Sequence, residues 1–247
     1  MSDTAVRPGR VLRIVLVSLL VAGLGVVALG AIAWCSFFGC TVFSEDFEPH
    51  GREATRAREE AVREVAALAD GASVDGRVLA SRTRDGCVSG QNDWKRKDTY
   101  SHECDVAASR LVVVVPGVAS VQAVADGLTR VDATLRRSEC VPSGGGGLDR
   151  VRDEYWRETN PNVARDGVAG LPSAHYDCPD GRRVEVEALS SGSRSTDVGR
   201  LADPYPWYDD RLSEDWYTVE DVRALREADA GLALVVTASE TYYRTRF

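Results

Sequence analysis

The sequence predicts an α+β fold: an N-terminal transmembrane helix, then one extracytoplasmic domain whose mainly antiparallel sheet is packed by three to four helices. Three observations predict it. Residues 14–38 are uncharged and mostly apolar, long enough to span a bilayer, which takes about 20 residues. Beyond them, segments of helical period alternate with segments of strand period, and turn sequences join several strands as hairpins. Hydrophobic content of 44% and charged content of 28% then leave enough apolar material for a packed core.

The domain map follows in chain order: residues 1–13 as a cytoplasmic tail, 14–38 as a transmembrane signal-anchor, 39–50 as a tether and 51–247 as the extracytoplasmic domain. Arg7, Arg10 and Arg13 precede the apolar run, whereas Glu45, Asp46 and Glu48 follow it, and this asymmetry puts the N-terminus in the cytoplasm. Two processed forms stay open, cleavage after Ala33 in Ala31-Ile32-Ala33 and lipidation at Cys40. All three forms export the domain. Two Lys and one Met against abundant Arg, Ala, Val and Asp fit a high-GC bacterial genome.

Within the domain, Ala54, Ala57, Ala61, Val65 and Leu68 recur at helical spacing and predict a helix over 52–69, with Gly71 as its stop. A coiled-coil dimer through Val65 and Leu68 is the alternative use of that face, although the segment is shorter than three heptads. Residues 77–82 read as a strand, Asp85-Gly86 as a turn, and 88–100 as a polar excursion. Residues 103–115 return as a long strand ending in a Leu-Val-Val-Val-Val run suited to a central position. Ser120 caps the next helix, in which Val121, Val124, Leu128, Val131 and Leu135 form a stripe. Gly144 to Gly147 read as a flexible joint before a short helix over 148–157. Strands at 173–178 and 182–189 flank Pro179-Asp180-Gly181, a turn sequence. Thr218 and Asp221 approximate a capping box for a last helix that Gly231 ends, and 232–243 reads as the final strand.

Six cysteines in an exported chain predict disulfides. Cys35 and Cys40 lie beside the membrane exit. The other four allow three connectivities that sequence does not separate. The pairing favoured here is Cys87–Cys104, closing a hairpin insertion, with Cys140–Cys178 tying a helix end to a strand. His102 and His175 stand near Cys104 and Cys178, but their spacings match no zinc pattern, so no metal and no cofactor is expected.

Residues 1–13 carry a charge of +2, so the total of −8 leaves −10 on the rest, which excludes a general nucleic-acid binder. No catalytic motif is present: the nearest nucleophile elbow, Gly71-Ala72-Ser73-Val74-Asp75, lacks its last Gly. The segment singled out as a candidate site is the long connection from Ser190 to Tyr217. Its second part packs Tyr205, Trp207, Tyr208, Trp216 and Tyr217 among Asp203, Asp209, Asp210, Glu214 and Asp215. Those aromatics read either as a binding surface for a cell-wall sugar or partner peptide, or as a lid on the sheet. The leading expectation is a non-enzymatic single-pass membrane protein. Its partners are the lipid bilayer, through residues 14–38, and a protein or glycan of the envelope. The competing expectation is an envelope hydrolase using acids of the 203–215 loop.

Overall fold

The computed structural model describes residues 48–73, 76–91, 98–118, 120–144, 146–156, 167–190 and 210–246. The apolar run 14–38, Cys35 and Cys40 lie outside the described residues. Among the described residues no helix is long and apolar enough to cross a membrane.

Two compact units are present, one of residues 47–89 with 102–244, the other of residues 1–46, 90–101 and 245–247. The larger unit runs α1 (Arg52–Ala72), β1 (Arg77–Ser89), β2 (His102–Pro116), α2 (Val121–Arg137), β3 (Val141–Ser143), α3 (Leu148–Trp156), β4 (Ala174–Asp177), β5 (Arg183–Leu189), β6 (Asp210–Asp215), α4 (Val219–Glu227) and β7 (Ala230–Thr245). The last residue of β7 belongs to the smaller unit. There, Ser101 donates its N–H to Thr245 O at 2.9 Å, and Gly90 donates to Ser101 O at 2.7 Å.

The seven strands form one sheet in the order β3-β4-β5-β7-β2-β1-β6. β1–β2, β1–β6, β3–β4, β4–β5 and β5–β7 are antiparallel. β7 runs antiparallel to β2 as well, since Gly117 N–H donates to Asp229 O, Ser109 Oγ meets Thr237 Oγ1, and Thr241 Oγ1 donates to Asp105. As one number rises, the other falls by the same amount.

Strand parity then divides the side chains between two faces. On the helix face, Val106, Ala108, Val184, Val186, Leu232, Leu234 and Val236 pack against Ala61, Val65 and Ala69 of α1 and Val124, Leu128, Val131 and Leu135 of α2. Each Val or Leu fully buried there stabilises by roughly 1.5–3 kcal/mol, an upper figure for a real unfolded chain. Val65 is fully buried and Leu68 packs on the same cluster, so the face a coiled-coil dimer would use is occupied by the sheet. Tyr176 joins the helices to this layer: its hydroxyl accepts Leu148 N–H at 2.7 Å, at the start of α3, and donates to Asp132 Oδ1 at 2.6 Å.

Both expected disulfides of the domain are formed, Cys87–Cys104 and Cys140–Cys178. The first lies on a directly paired position of β1 and β2. The capping box is also formed, with Thr218 Oγ1 accepting Asp221 N–H and the Asp221 carboxylate accepting Thr218 N–H at 2.7 Å.

Several boundaries differ from the sequence expectation. α1 runs through Gly71 and stops at Ser73, whose hydroxyl and N–H both return to Ala69 O. Asp85-Gly86 is strand rather than turn, because β2 pairs continuously alongside and the Asp85 carboxylate is buried against Arg58 and Tyr242. Gly231 lies inside β7, and the turn before it is made by Asp229 at φ 46°. Part of the long connection, Asp210–Asp215, is an edge strand on β1, and the short edge strand β3, just before the expected Gly144–Gly147 joint, is an element the sequence reading did not place.

Candidate functional site

A difference in strand length creates the site. β7 has 16 residues and β5 has 7, and their pairing ends at Arg183↔Ser239. β5 begins there because the β4–β5 turn is pinned: Cys178 is tied to Cys140, Cys178 N–H donates to Arg182 O at 2.8 Å, and Asp180 and Gly181 both take positive φ (62° and 81°). β7 continues past this turn with β2 on one side and, among the described residues, no strand of the sheet on the other.

The consequence for the backbone follows from antiparallel geometry, in which successive residues direct their N–H and C=O to opposite neighbours. Gly117 N–H donates to Asp229 O at 2.6 Å, so odd-numbered β7 residues bond towards β2. On its other side β7 pairs with β5 as far as Ser239, opposite Arg183. Beyond Ser239, no strand among the described residues pairs with β7 on that side.

That notch opens onto the other face of the sheet as a cavity of 690 Å³. Its floor and walls are Arg84 of β1, Glu103, Asp105 and Ala107 of β2, the Asp180–Gly181 turn, Arg183 of β5, and Ser239 to Arg244 of β7. Charges of both signs meet here. Glu103 pairs with Arg244, and Asp105 accepts Thr241 Oγ1–H at 2.5 Å. Burial, reinforced by the neighbouring Glu103, pushes the Asp105 carboxyl above its ordinary value against the pull of Thr241 and Arg244. Glu240 is also raised, by burial first and then by Glu64, with Asp180 and Glu60 adding to it against Arg182.

The far end of the same face is closed. Ala80, Leu111, Val113, Ala233 and Val235 pack against Leu225 of α4 and against Trp216 and Tyr217 just before it. The Tyr217 hydroxyl shares a hydrogen bond of 2.7 Å with Ser109 Oγ, and the Arg84 guanidinium lies 4.9 Å from the Trp216 ring centroid. Arg82 clamps α4 down, its guanidinium reaching both carboxylate oxygens of Asp221 at 2.6 and 2.7 Å. Burial would raise the Asp221 carboxyl, but Arg82 and the Thr218 N–H together hold it below the usual range.

The expected aromatic site is therefore divided. Trp216 and Tyr217 are 9% and 4% exposed, with their rings in edge contact inside this closed cluster. Tyr205, Trp207 and Tyr208 lie outside the described residues, as do Asp203 and Asp209. Asp215 stands at the exposed edge and pairs with Arg82 at 3.2 Å. Sequence reasoning missed the trough. Its one legible signal is a drift along alternate residues of β7, from Ala233 and Val235 to Thr237, Ser239, Thr241 and Tyr243, matched in β2 from Val113 and Leu111 to Asp105 and Glu103.

A hydroxyl, an imidazole and a carboxylate also meet beside the trough. Ser173 Oγ is 3.2 Å from His175 Nε2, and His175 Nδ1 is 3.9 Å from Glu185 Oε1 on the paired strand. The second distance is too long for a hydrogen bond, and both His175 and Glu185 side chains are about two-fifths exposed. Among the described residues, no group of three or more His, Cys, Asp or Glu is arranged to hold a metal ion. Comparison of the chain with protein-family models, with curated proteins and with solved structures yields no match.

Proposed function

We propose that this chain is a single-pass membrane protein, N-terminus in the cytoplasm, whose extracytoplasmic α+β domain binds a protein or another component of the cell envelope. The observation that carries the binding reading is the trough where β7 outruns β5. It is an open concavity lined by convergent charges, with strand backbone along one margin, the kind of surface that recognises a ligand by hydrogen bonds and charge. Export rests on the uncharged run 14–38 with its Arg-rich leading flank, and two disulfides fit an oxidising compartment.

The test places a photo-cross-linking side chain at Arg183, in the trough, or at Arg137, on exposed α2, and irradiates intact cells. A discrete adduct from position 183 alone supports the reading. No adduct from either position, or the same adducts from both, removes it.

A second reading, an envelope hydrolase, is favoured by the Ser173–His175–Glu185 sequence of contacts, in which a base stands beside a hydroxyl. It predicts covalent labelling of the full chain by a fluorophosphonate and loss of that labelling in Ser173→Ala. Absence of labelling in the parent chain rejects it.

A further inference from the structure

The trough floor runs in rows across the strands, and the inference drawn from it rests on the binding reading above. In one row Arg84 of β1 stands opposite Ala107 of β2, and Arg183 of β5 stands opposite Ser239 of β7. The contacts of Ser109 with Thr237 and of Asp105 with Thr241 fix the β2–β7 register and set Ala107 beside Ser239. Residues directly opposite one another in an antiparallel pair share a face, so two arginines flank two small side chains. In the next row Asp105 stands beside Thr241. The positions between Asp105 and Arg183 therefore carry Ala107, Ser239 and Thr241, all short, and all five residues line the cavity.

Several charges around this floor are matched locally. Glu103 pairs with Arg244, Asp180 pairs with Arg182, and the Arg84 guanidinium lies against the Trp216 ring. Asp105 and Arg183 differ. Asp105 accepts the Thr241 hydroxyl, and among the described residues no cation is in salt-bridge contact with it, although Arg244 and Arg183 act on it through space. The Arg183 side chain is 79% exposed, and its neighbour Asp177 stands 4.0 Å away, at the limit of pairing. Two strand spacings across the sheet and two residues along it separate Asp105 from Arg183, about 12 Å between Cα atoms. Opposite charges thus face each other across a cavity of 690 Å³ without meeting.

A ligand with one sign of charge gains from one of these groups and is repelled by the other. A compact ligand with both charges gains from both. In an extended dipeptide the ammonium and carboxylate groups stand about 6 Å apart, a span that fits between side chains rooted about 12 Å apart. We infer that the trough binds a short-peptide zwitterion, about two residues long, with its ammonium group on the Asp105 carboxylate and its carboxylate on the Arg183 guanidinium. The Ser239 hydroxyl in the floor is placed to meet the peptide group between them.

The test uses the full chain in detergent micelles and alanylalanine, with its N-acetyl and C-terminal amide derivatives, titrated by ligand-observed NMR. Acetylation removes the ammonium and amidation removes the carboxylate. Each should weaken binding by about tenfold or more, the loss of one charge-assisted contact. Two variants assign the ends. In Asp105→Asn acetylation should cost nothing further while amidation still does, and in Arg183→Gln the reverse should hold. A cooperative melt shows that each variant folds, and Arg183→Gln, at an exposed position, carries the test alone if Asp105→Asn does not. Three results overturn the inference: alanylalanine binding weaker than about 10 mM, indifference of the parent chain to either modification, or a variant that keeps its own end's selectivity. A cross-link from position 183 alone, obtained together with any of the three, leaves the binding reading standing; failure of both experiments removes both.

Discussion

The two ends of the sheet's far face are built from the same strands and end in opposite chemistry. Where β2 and β7 carry Leu111, Val113, Ala233 and Val235, α4 and Trp216 close over them, and Arg82 holds the helix through Asp221. Where the same strands carry Asp105, Glu103, Thr241 and Tyr243, they line a trough beside the stretch of β7 that β5 does not reach. At the closed end apolar packing is joined by the Ser109–Tyr217 hydrogen bond, the Arg84–Trp216 contact and the Arg82–Asp221 ion pair. At the open end burial holds two carboxyls, Asp105 and Glu240, above their ordinary values. Dense packing and an open, charged surface are thus separated along single strands.

Substitutions sharpen that contrast, and the largest effect is expected where the two ends share a support. The Cys140–Cys178 bridge spans 38 residues and holds the turn that walls the trough. Replacing both Cys with Ala should cost about 4 kcal/mol by the chain-entropy relation, measured by urea unfolding under oxidising conditions. At the closed end, Leu111→Ala removes a buried side chain and should cost about 2–5 kcal/mol in the same assay. At the open end, Thr241→Ala should cost under about 1 kcal/mol. Equal costs at 111 and 241 would break the comparison.

Proton linkage gives the two ends opposite signs. Asp221 has a depressed folded-state pKa, so its contribution is present above the unfolded value near 3.9 and is lost as pH falls through the folded one. Asp221→Asn should therefore lower the melting temperature at pH 7, corresponding to about 1–2 kcal/mol, with the difference shrinking below about pH 4. Asp105 has a raised folded-state pKa, so its contribution is complete below the unfolded value and declines as pH rises through the folded one. Asp105→Asn should leave stability at pH 7 unchanged or raise it by up to about 1 kcal/mol, the gain vanishing near pH 3. Melting curves between pH 3 and 7 check both signs.

Local chemistry made most of the elements readable. The Val124–Leu135 stripe, the Thr218–Asp221 box, the Pro-Asp-Gly turn and the Leu-Val-Val-Val-Val run each carry their own physical signature, and each stands where the sequence places it. The misplaced boundaries depend on distant partners. Asp85-Gly86 has turn composition, but β2 on one side and β6 on the other hold it extended. The segment Asp210–Asp215 is too charged to read as a strand, and it is one because it lies at an edge. The trough was hidden for the same reason. Glu240 and Arg183 are 57 positions apart in the numbering, and only the β5–β7 register shows that one strand stops where the other continues.

Amide hydrogen exchange resolved along β7 in the free chain tests the open edge most directly, because it needs no partner. Val236 and Ala238 are paired with β5, whereas Glu240 and Tyr242 lie beyond the last β5 pair, with no further strand on that side among the described residues. The account predicts that the amides of Glu240 and Tyr242 exchange at least about a hundredfold faster than those of Val236 and Ala238. Equal protection at all four positions would mean that the edge is already covered, and would contradict it.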